Sequence, residues 1–393
     1  MTTQIFQKEI NMNTVPAVAI DTTFFAHSEA RNKKLTYSTS IFAADLLNAF
    51  TELGFSKYCT LIVSEPHAQF FREYFPSYKQ LILRWFPLTL LSKISHGKFA
   101  ASALIKKIGI YKKNIEHSSF NAIWFPYTIP ESYVDTKLPG ILTIHDMYRL
   151  HARNNARAYK NIADENHNQI VAISTYTKND IVASLGYRKE IPVIPNSIDF
   201  DDSKTETVQG ISNPFILDIN AYIAKKNTIT LLKAFNIIKD SVPFDVVCCG
   251  GYKDETYFSM LQEYIHKYAL EDRVHMLYKI SEAKKTWLLK NAALFVTPSL
   301  YEGFGRTPIE AAVCKVPVIS TKETSLYETT MGLVSYYDNA TDENELADTI
   351  LTVIRNSPSQ TTLSSIANTF KTTYAVKNCA QKYIALFNRI LSS

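Results

Sequence analysis

Cysteine is scarce in this sequence: five residues in 393 (Cys59, Cys248, Cys249, Cys314 and Cys379), an odd number without metal-ligand spacing. That argues against a disulfide framework and fits reduced thiols in a cytosolic protein, with Cys248-Cys249 buried at the end of an apolar run. The opening residues, MTTQIFQKEINMNTVP, hold no apolar core of signal-peptide length. No window reaches the ~18 apolar residues of a membrane-spanning helix. Strong charge is absent as well. A net charge of +5 with 20% charged residues makes no case for nucleic acid. Internal repeats and low-complexity tracts are missing too.

What remains is a globular α/β pattern. The chain is 46% hydrophobic and long enough for two domains. Short apolar runs alternate with longer amphipathic stretches, the signature of βα units on a parallel sheet. Strands are expected at Val15–Ile20, Tyr58–Val63, Ala122–Phe125, Ile141–His145, Gln169–Ile173 and Pro192–Ile194. A second set is expected at Phe215–Asn220, Phe244–Cys249, Arg273–Leu277, Leu294–Thr297, Val316–Ser320 and Leu333–Tyr336. The polar, acidic stretch 199–213 reads as a linker. Two Rossmann-like halves follow, 1–198 and 214–375, with a last helix in 376–393.

The most informative segment is Ser299-Leu300-Tyr301-Glu302-Gly303-Phe304-Gly305-Arg306-Thr307-Pro308-Ile309-Glu310. An apolar strand ends at Pro298-Ser299, a glycine-rich loop follows, and a helix starts near Thr307-Pro308. Glycines let a backbone approach a ligand closely, and a helix N-terminus suits a phosphate. Two carboxylates beside such an anion site fit a ligand that has hydroxyls as well as phosphates. A sugar nucleotide has both. The bland alternative is an ordinary βα turn, with Glu310 only stabilising the helix dipole.

This segment closely resembles the E-x7-E signature of retaining glycosyltransferases of family 4, which have the GT-B fold. Glu302, Gly303, Phe304, Gly305, Glu310 and Ala311 stand in their expected places. The resemblance implies two Rossmann-like domains facing across a cleft, acceptor side first and nucleotide-sugar side second, with the last helix packing back on the first domain. It also implies a role for each matching residue. Glu302 would meet hydroxyls of the transferred sugar, Glu310 the ribose, and the Gly303-Phe304-Gly305 backbone the sugar and diphosphate.

Other segments agree. Lys226-Asn227 match the lysine and asparagine of V-G-R-x5-K-N, and Lys226 would neutralise the departing diphosphate. Ala221 and Asn220 replace the arginine and glycine of that motif, and Lys225 or Arg306 is the candidate substitute charge. Residues Met276 to Asn291 resemble the segment that flanks the base, with backbone groups of Lys279 and Ile280 as its candidate contacts. His145-Asp146 resemble T-x-H-D, whose histidine faces the donor sugar. Ser174-Thr175 end a strand and open a helix, with Thr175 as a candidate cap. The glycine-rich loop common near the family's N-terminus is replaced by Ser38-Thr39-Ser40.

The expected activity is hexosyl transfer, with mannose the leading sugar, from a nucleotide diphosphate sugar to a hydroxyl of a glycan or lipid-linked acceptor in surface polysaccharide synthesis. No cofactor is expected beyond the nucleotide-sugar substrate. No metal is expected either, because no Asp-x-Asp element sits on a donor loop. The stretch 79–113 carries eight basic residues, no acid and several aromatics, which suits an anionic membrane surface. Peripheral attachment to the inner face of the cell membrane would follow. The competing readings are a catalytically silent GT-B scaffold for a partner enzyme and a nucleotide-sugar epimerase of the same fold.

Overall fold

The computed structural model describes residues 17–33, 35, 37–83, 109–128, 133–153, 168–200 and 203–392. Contacts divide the chain into two compact units. The first takes the described residues within Met1–Ile144, Asn155–Val171 and Ala380–Ser393, and the second those within His145–Asn154 and Ala172–Cys379.

The first unit is built on the strands β1 (Val18–Asp21), β2 (Cys59–Ser64), β3 (Lys79–Leu83), β4 (Ala122–Phe125), β5 (Gly140–Ile144) and β6 (Asn168–Ala172), in the order β3-β2-β1-β4-β5-β6. β1 runs parallel to β2 and to β4, with Val18 beside Cys59 on one side and Ala122 on the other. β1, β4 and β5 are buried throughout. Their near-continuous apolar sequences are those of strands covered on both faces. Phe42, Leu46 and Phe50 follow helical spacing along the helix Ser38–Glu52 and are completely buried. The C-terminal helix Val376–Ser392 places Tyr383 and Phe387 one turn apart, both fully buried. The Tyr383 ring lies 4.9 Å from that of Trp124, and its hydroxyl meets Thr143 Oγ1 at 3.0 Å.

The second unit is built on β7 (Phe215–Ile219), β8 (Asp245–Gly250), β9 (Val274–Tyr278), β10 (Leu294–Thr297), β11 (Val318–Thr321) and β12 (Ser335–Tyr337), in the order β12-β11-β10-β7-β8-β9. All five adjacent pairs are parallel. Numbered within its own sheet, each unit has the Rossmann order 3-2-1-4-5-6. The fold class is therefore the α/β, Rossmann-like pair expected of GT-B. In such a sheet the chain turns opposite ways from the first and fourth strands, and a crevice opens beyond their carboxyl ends. In the second unit those strands are β7 and β10.

Two strand expectations change. Lys79–Leu83, read as the start of a basic amphipathic stretch, is the edge strand β3, and Ile110–Glu116 at the far end is a helix. Residues 84–108 between them lie outside the described residues. Pro192–Ile194 is not a strand: Val193 makes a single bridge to Ala172. Pro192 and Pro195 leave too few N–H groups to extend the ladder. The stretch 203–213 carries no helix or strand but is pinned, with Val208 buried and the Glu206 amide donating to Ala283 O at 3.1 Å.

Candidate active site

The loops leaving β7 and β10 meet at the switch point of the second sheet. After β7 comes a single 3₁₀ turn, Ala224–Lys226, followed by Asn227 in the left-handed region at φ 56°. Asparagine tolerates that conformation better than most residues. Its side-chain amide donates to Pro298 O at 3.1 Å and to Ala340 O at 2.7 Å. The Leu300 amide donates to Lys225 O at 2.8 Å. The β7 and β10 loops are thus tied by backbone and amide bonds, which holds the Lys226 side chain in place.

That side chain reaches Glu302. Lys226 Nζ and Glu302 Oε1 form a direct ion pair, both side chains are mostly buried, and Ser299 Oγ donates to the same carboxylate oxygen at 3.0 Å. The Glu302 backbone is fixed from a third loop. Its N–H donates to Thr324 Oγ1 at 2.9 Å, and its carbonyl accepts from Thr324 Oγ1 and Ser325 Oγ, also at 2.9 Å. Beneath the pair, at the end of β7, Asp218 accepts from Asn220 Nδ2 at 2.6 Å and from Thr228 Oγ1 at 2.9 Å. Burial pushes its carboxyl up to about 6.

Gly303 is forced by its surroundings. A Cβ there would lie 2.0 Å from the carbonyl oxygen of His145, a backbone atom with little room to move. Gly305 has φ +81° and precedes the helix Arg306–Val313, for which it is the cap. Pro308 falls in the first turn, where the missing N–H has no intrahelical acceptor to lose. The Phe304 side chain is buried against Tyr374, with ring centroids 5.2 Å apart, so only its backbone can face a ligand.

Glu310, one turn into the same helix, is almost fully buried. Arg306 Nε lies 3.5 Å from Oε1, and Lys285 Nζ lies 2.7 Å from Oε2. Burial alone would raise the Glu310 carboxyl, but Lys285 and Arg306 outweigh it and hold the group below the usual carboxylate range. It is an ionised acceptor at neutral pH.

The remaining candidates follow β5, β7 and β9. His145 belongs to the second unit, and its backbone lies against Gly303. Lys225 lies among acidic and aromatic side chains. Its ammonium sits 4.1 Å from the Tyr148 ring centroid and 3.9 Å from Asp146 Oδ2, and desolvation by burial lowers its pKa. Lys279 stands at φ 54° directly after β9, and its amide donates to Gly250 O at 2.9 Å. Ile280 packs on the apolar cluster around Leu288 and Phe304. The helix Thr175–Leu185 is capped by Ser174, whose Oγ accepts from the Thr177 amide at 3.0 Å, and not by Thr175. The Thr175 and Tyr176 amides instead donate to Glu328 at 2.6 and 3.0 Å.

Sequence reasoning missed Lys285, Thr324 and Ser325. A signal for Lys285 was present: it lies three and four residues before Leu288 and Leu289, so it occupies the apolar stripe of its helix. A lysine there needs a buried partner. Nothing local marks Thr324 and Ser325, which act from more than twenty residues away.

Residues 200–370 match the family model of glycosyl transferases group 1. The segment carrying the site belongs to that family. Among curated relatives, the chain is 30% identical over 162 residues to the alpha-1,3/1,6-mannosyltransferase ALG2 of Dictyostelium discoideum, covering 37% of this chain and 36% of that one. It is 28% identical over 176 residues to the O-antigen chain mannosyltransferase RfbU of Salmonella typhimurium, covering 44% of this chain and 47% of that one. The matched part thus spans less than half the length of either relative. Among solved structures, Anabaena HepE in complex with UDP and glucose superimposes with a TM-score of 0.69 at 16% identity, over 95% of this chain and all of that one. That likeness is one of fold. Among the described residues no helix is long and apolar enough to cross a membrane, and no group of three or more His, Cys, Asp or Glu side chains could hold a metal ion.

Proposed function

We propose that this protein is a retaining glycosyltransferase that moves a hexose, mannose being the leading candidate, from a nucleotide diphosphate sugar to a hydroxyl of a glycan or lipid-linked acceptor. The observation that carries the reading is the meeting of Lys226 and Glu302 at the β7–β10 switch point, with Glu310 ionised and buried one loop away. It is supported by the family match over the same residues and by the mannosyltransferases among the relatives.

In this reading the diphosphate lies against the N-terminus of the helix Arg306–Val313, whose first amides have no intrahelical acceptor. Glu310 takes the ribose hydroxyls and Glu302 those of the sugar. Lys226 is drawn toward the diphosphate as negative charge develops on the leaving group, which is where electrostatic stabilisation gains rate. The acceptor hydroxyl attacks the face that the diphosphate leaves, and the leaving phosphate takes its proton. Retention then needs no enzymic nucleophile. Lys226, Arg306 and the helix dipole supply the positive charge, so no metal is required. The basic stretch 79–113 supports docking of the acceptor side at an anionic membrane.

The test is transfer from a panel of nucleotide sugars, GDP-mannose and UDP-glucose included, by purified protein with and without EDTA. Turnover with one donor, undiminished by chelator, is expected. Strict dependence on Mn²⁺ would contradict the metal-free mechanism. Ala221, which stands where the motif has arginine, favours the silent-scaffold alternative, and failure with every donor would support it.

A further inference from the structure

Glu310 is held by a residue that the signature does not include. Lys285 projects from the helix Glu282–Asn291. Its side chain is 18% exposed and that of Glu310 6%. Lys285 Nζ lies 2.7 Å from Glu310 Oε2, with Glu282 Oε2 a further neighbour at 3.7 Å. Arg306 stands on the other carboxylate oxygen, so each oxygen of Glu310 faces one cation. The Lys285 contact is a close, charge-assisted pair at Oε2. Burial should lower the Lys285 pKa, but the attraction of Glu310 and Glu282 prevails and raises it. A buried carboxylate free to rotate or to take up a proton would be a poor acceptor. One pinned between two cations keeps a fixed orientation, and an ionised carboxylate with about four lone-pair sites can still accept from two neighbouring hydroxyl donors.

We propose that Lys285 is a positioning residue for the nucleotide: it fixes Glu310 to receive the vicinal hydroxyls of a ribose and does not itself touch the ligand. This rests on the nucleotide-sugar reading above. It gives Lys285 a role that a mere packing position would not have. The effect of its removal should depend on whether the ligand carries those two hydroxyls.

The experiment measures binding of UDP and GDP, each beside its 2′,3′-dideoxy analogue, to wild type, Lys285→Met and Lys285→Arg by titration calorimetry. Wild type should bind one ribonucleotide more tightly than its dideoxy analogue. Lys285→Met should weaken the ribonucleotide by about 10- to 100-fold, the range for a hydrogen bond to a charged group. It should leave the dideoxy analogue within about twofold, and Lys285→Arg should restore most of the preference. Lys285→Gln takes the place of the methionine variant if that fails to fold. Equal weakening of both ligands would mean that Lys285 contacts the phosphates or only supports the fold, and would overturn the proposal. So would an unchanged ribose preference in Lys285→Met. If wild type binds a ribonucleotide and its dideoxy analogue equally, or binds none of the four, the role of Glu310 fails and this inference with it.

Discussion

Lys226→Met is expected to lower kcat by about 10²- to 10³-fold, the usual effect of removing one group that stabilises charge in a transition state. Lys226 sits where the charge of the leaving diphosphate grows, so the loss should fall on kcat more than on KM. The fold should survive, because the loop is held by Asn227 and by the Leu300 amide and not by the lysine. Glu302 is left with Ser299 as its side-chain partner. Its carboxylate is then underpaired, and a modest fall in Tm should accompany the kinetic loss. Lys226→Met combined with Glu302→Gln should recover the Tm and none of the turnover. Steady-state kinetics under saturating donor, beside a melting curve, checks this. A kcat within about threefold of wild type would remove Lys226 from the mechanism.

Gly303→Ala is expected to damage both stability and activity. The added methyl would lie 2.0 Å from His145 O and 3.1 Å from Asp146 Cβ, so one loop must move. Overpacking of this kind costs about 1–3 kcal/mol, which lowers Tm by several degrees. The displaced loop carries Glu302 on one side and the helix start on the other, so transfer should fall further than stability accounts for. Gly251→Ala is the control: nothing lies within 4 Å of a Cβ there, and it should behave as wild type. Thermal melts and turnover of the two variants compare directly, and a Gly303→Ala protein with wild-type melting and activity would refute the close approach.

Much of this was legible in advance. The strands β1, β4, β7, β8 and β10 carry near-continuous apolar runs because both faces are covered, and such runs stand out in a sequence. β3 did not. It lies at the sheet edge, its first four residues are partly exposed, and Lys79 and Gln80 dilute its apolar pattern. Val193 misled in the opposite way: its neighbours are apolar, but the flanking prolines allow only one bridge. In the site, Glu302, Glu310, Gly303 and Lys226 were marked by their spacing. Contacts between distant segments were not. Lys226 meets Glu302 across 76 residues, and the Glu302 backbone depends on hydroxyls 22 and 23 residues further on. Sequence patterns report the period of an element, whereas these contacts depend on which loops the sheet order brings together. The placement of Lys225 is the clearest case. This candidate for the missing arginine has Asp146 and the Tyr148 ring as neighbours, which no local pattern announces.

The central claim is that the carboxyl ends of β7 and β10 bind a nucleoside diphosphate through charges the protein itself supplies. Its most direct test is the melting temperature of the purified protein against UDP, GDP, ADP and dTDP in EDTA, with Glu310→Gln in parallel. A ligand at a hundred times its dissociation constant adds about 2.7 kcal/mol to the native state. One of the four should therefore raise the wild-type Tm clearly without metal, and Glu310→Gln should lose most of that rise. No shift with any of them, at millimolar concentration and with EDTA replaced by Mn²⁺ as well, would contradict the account.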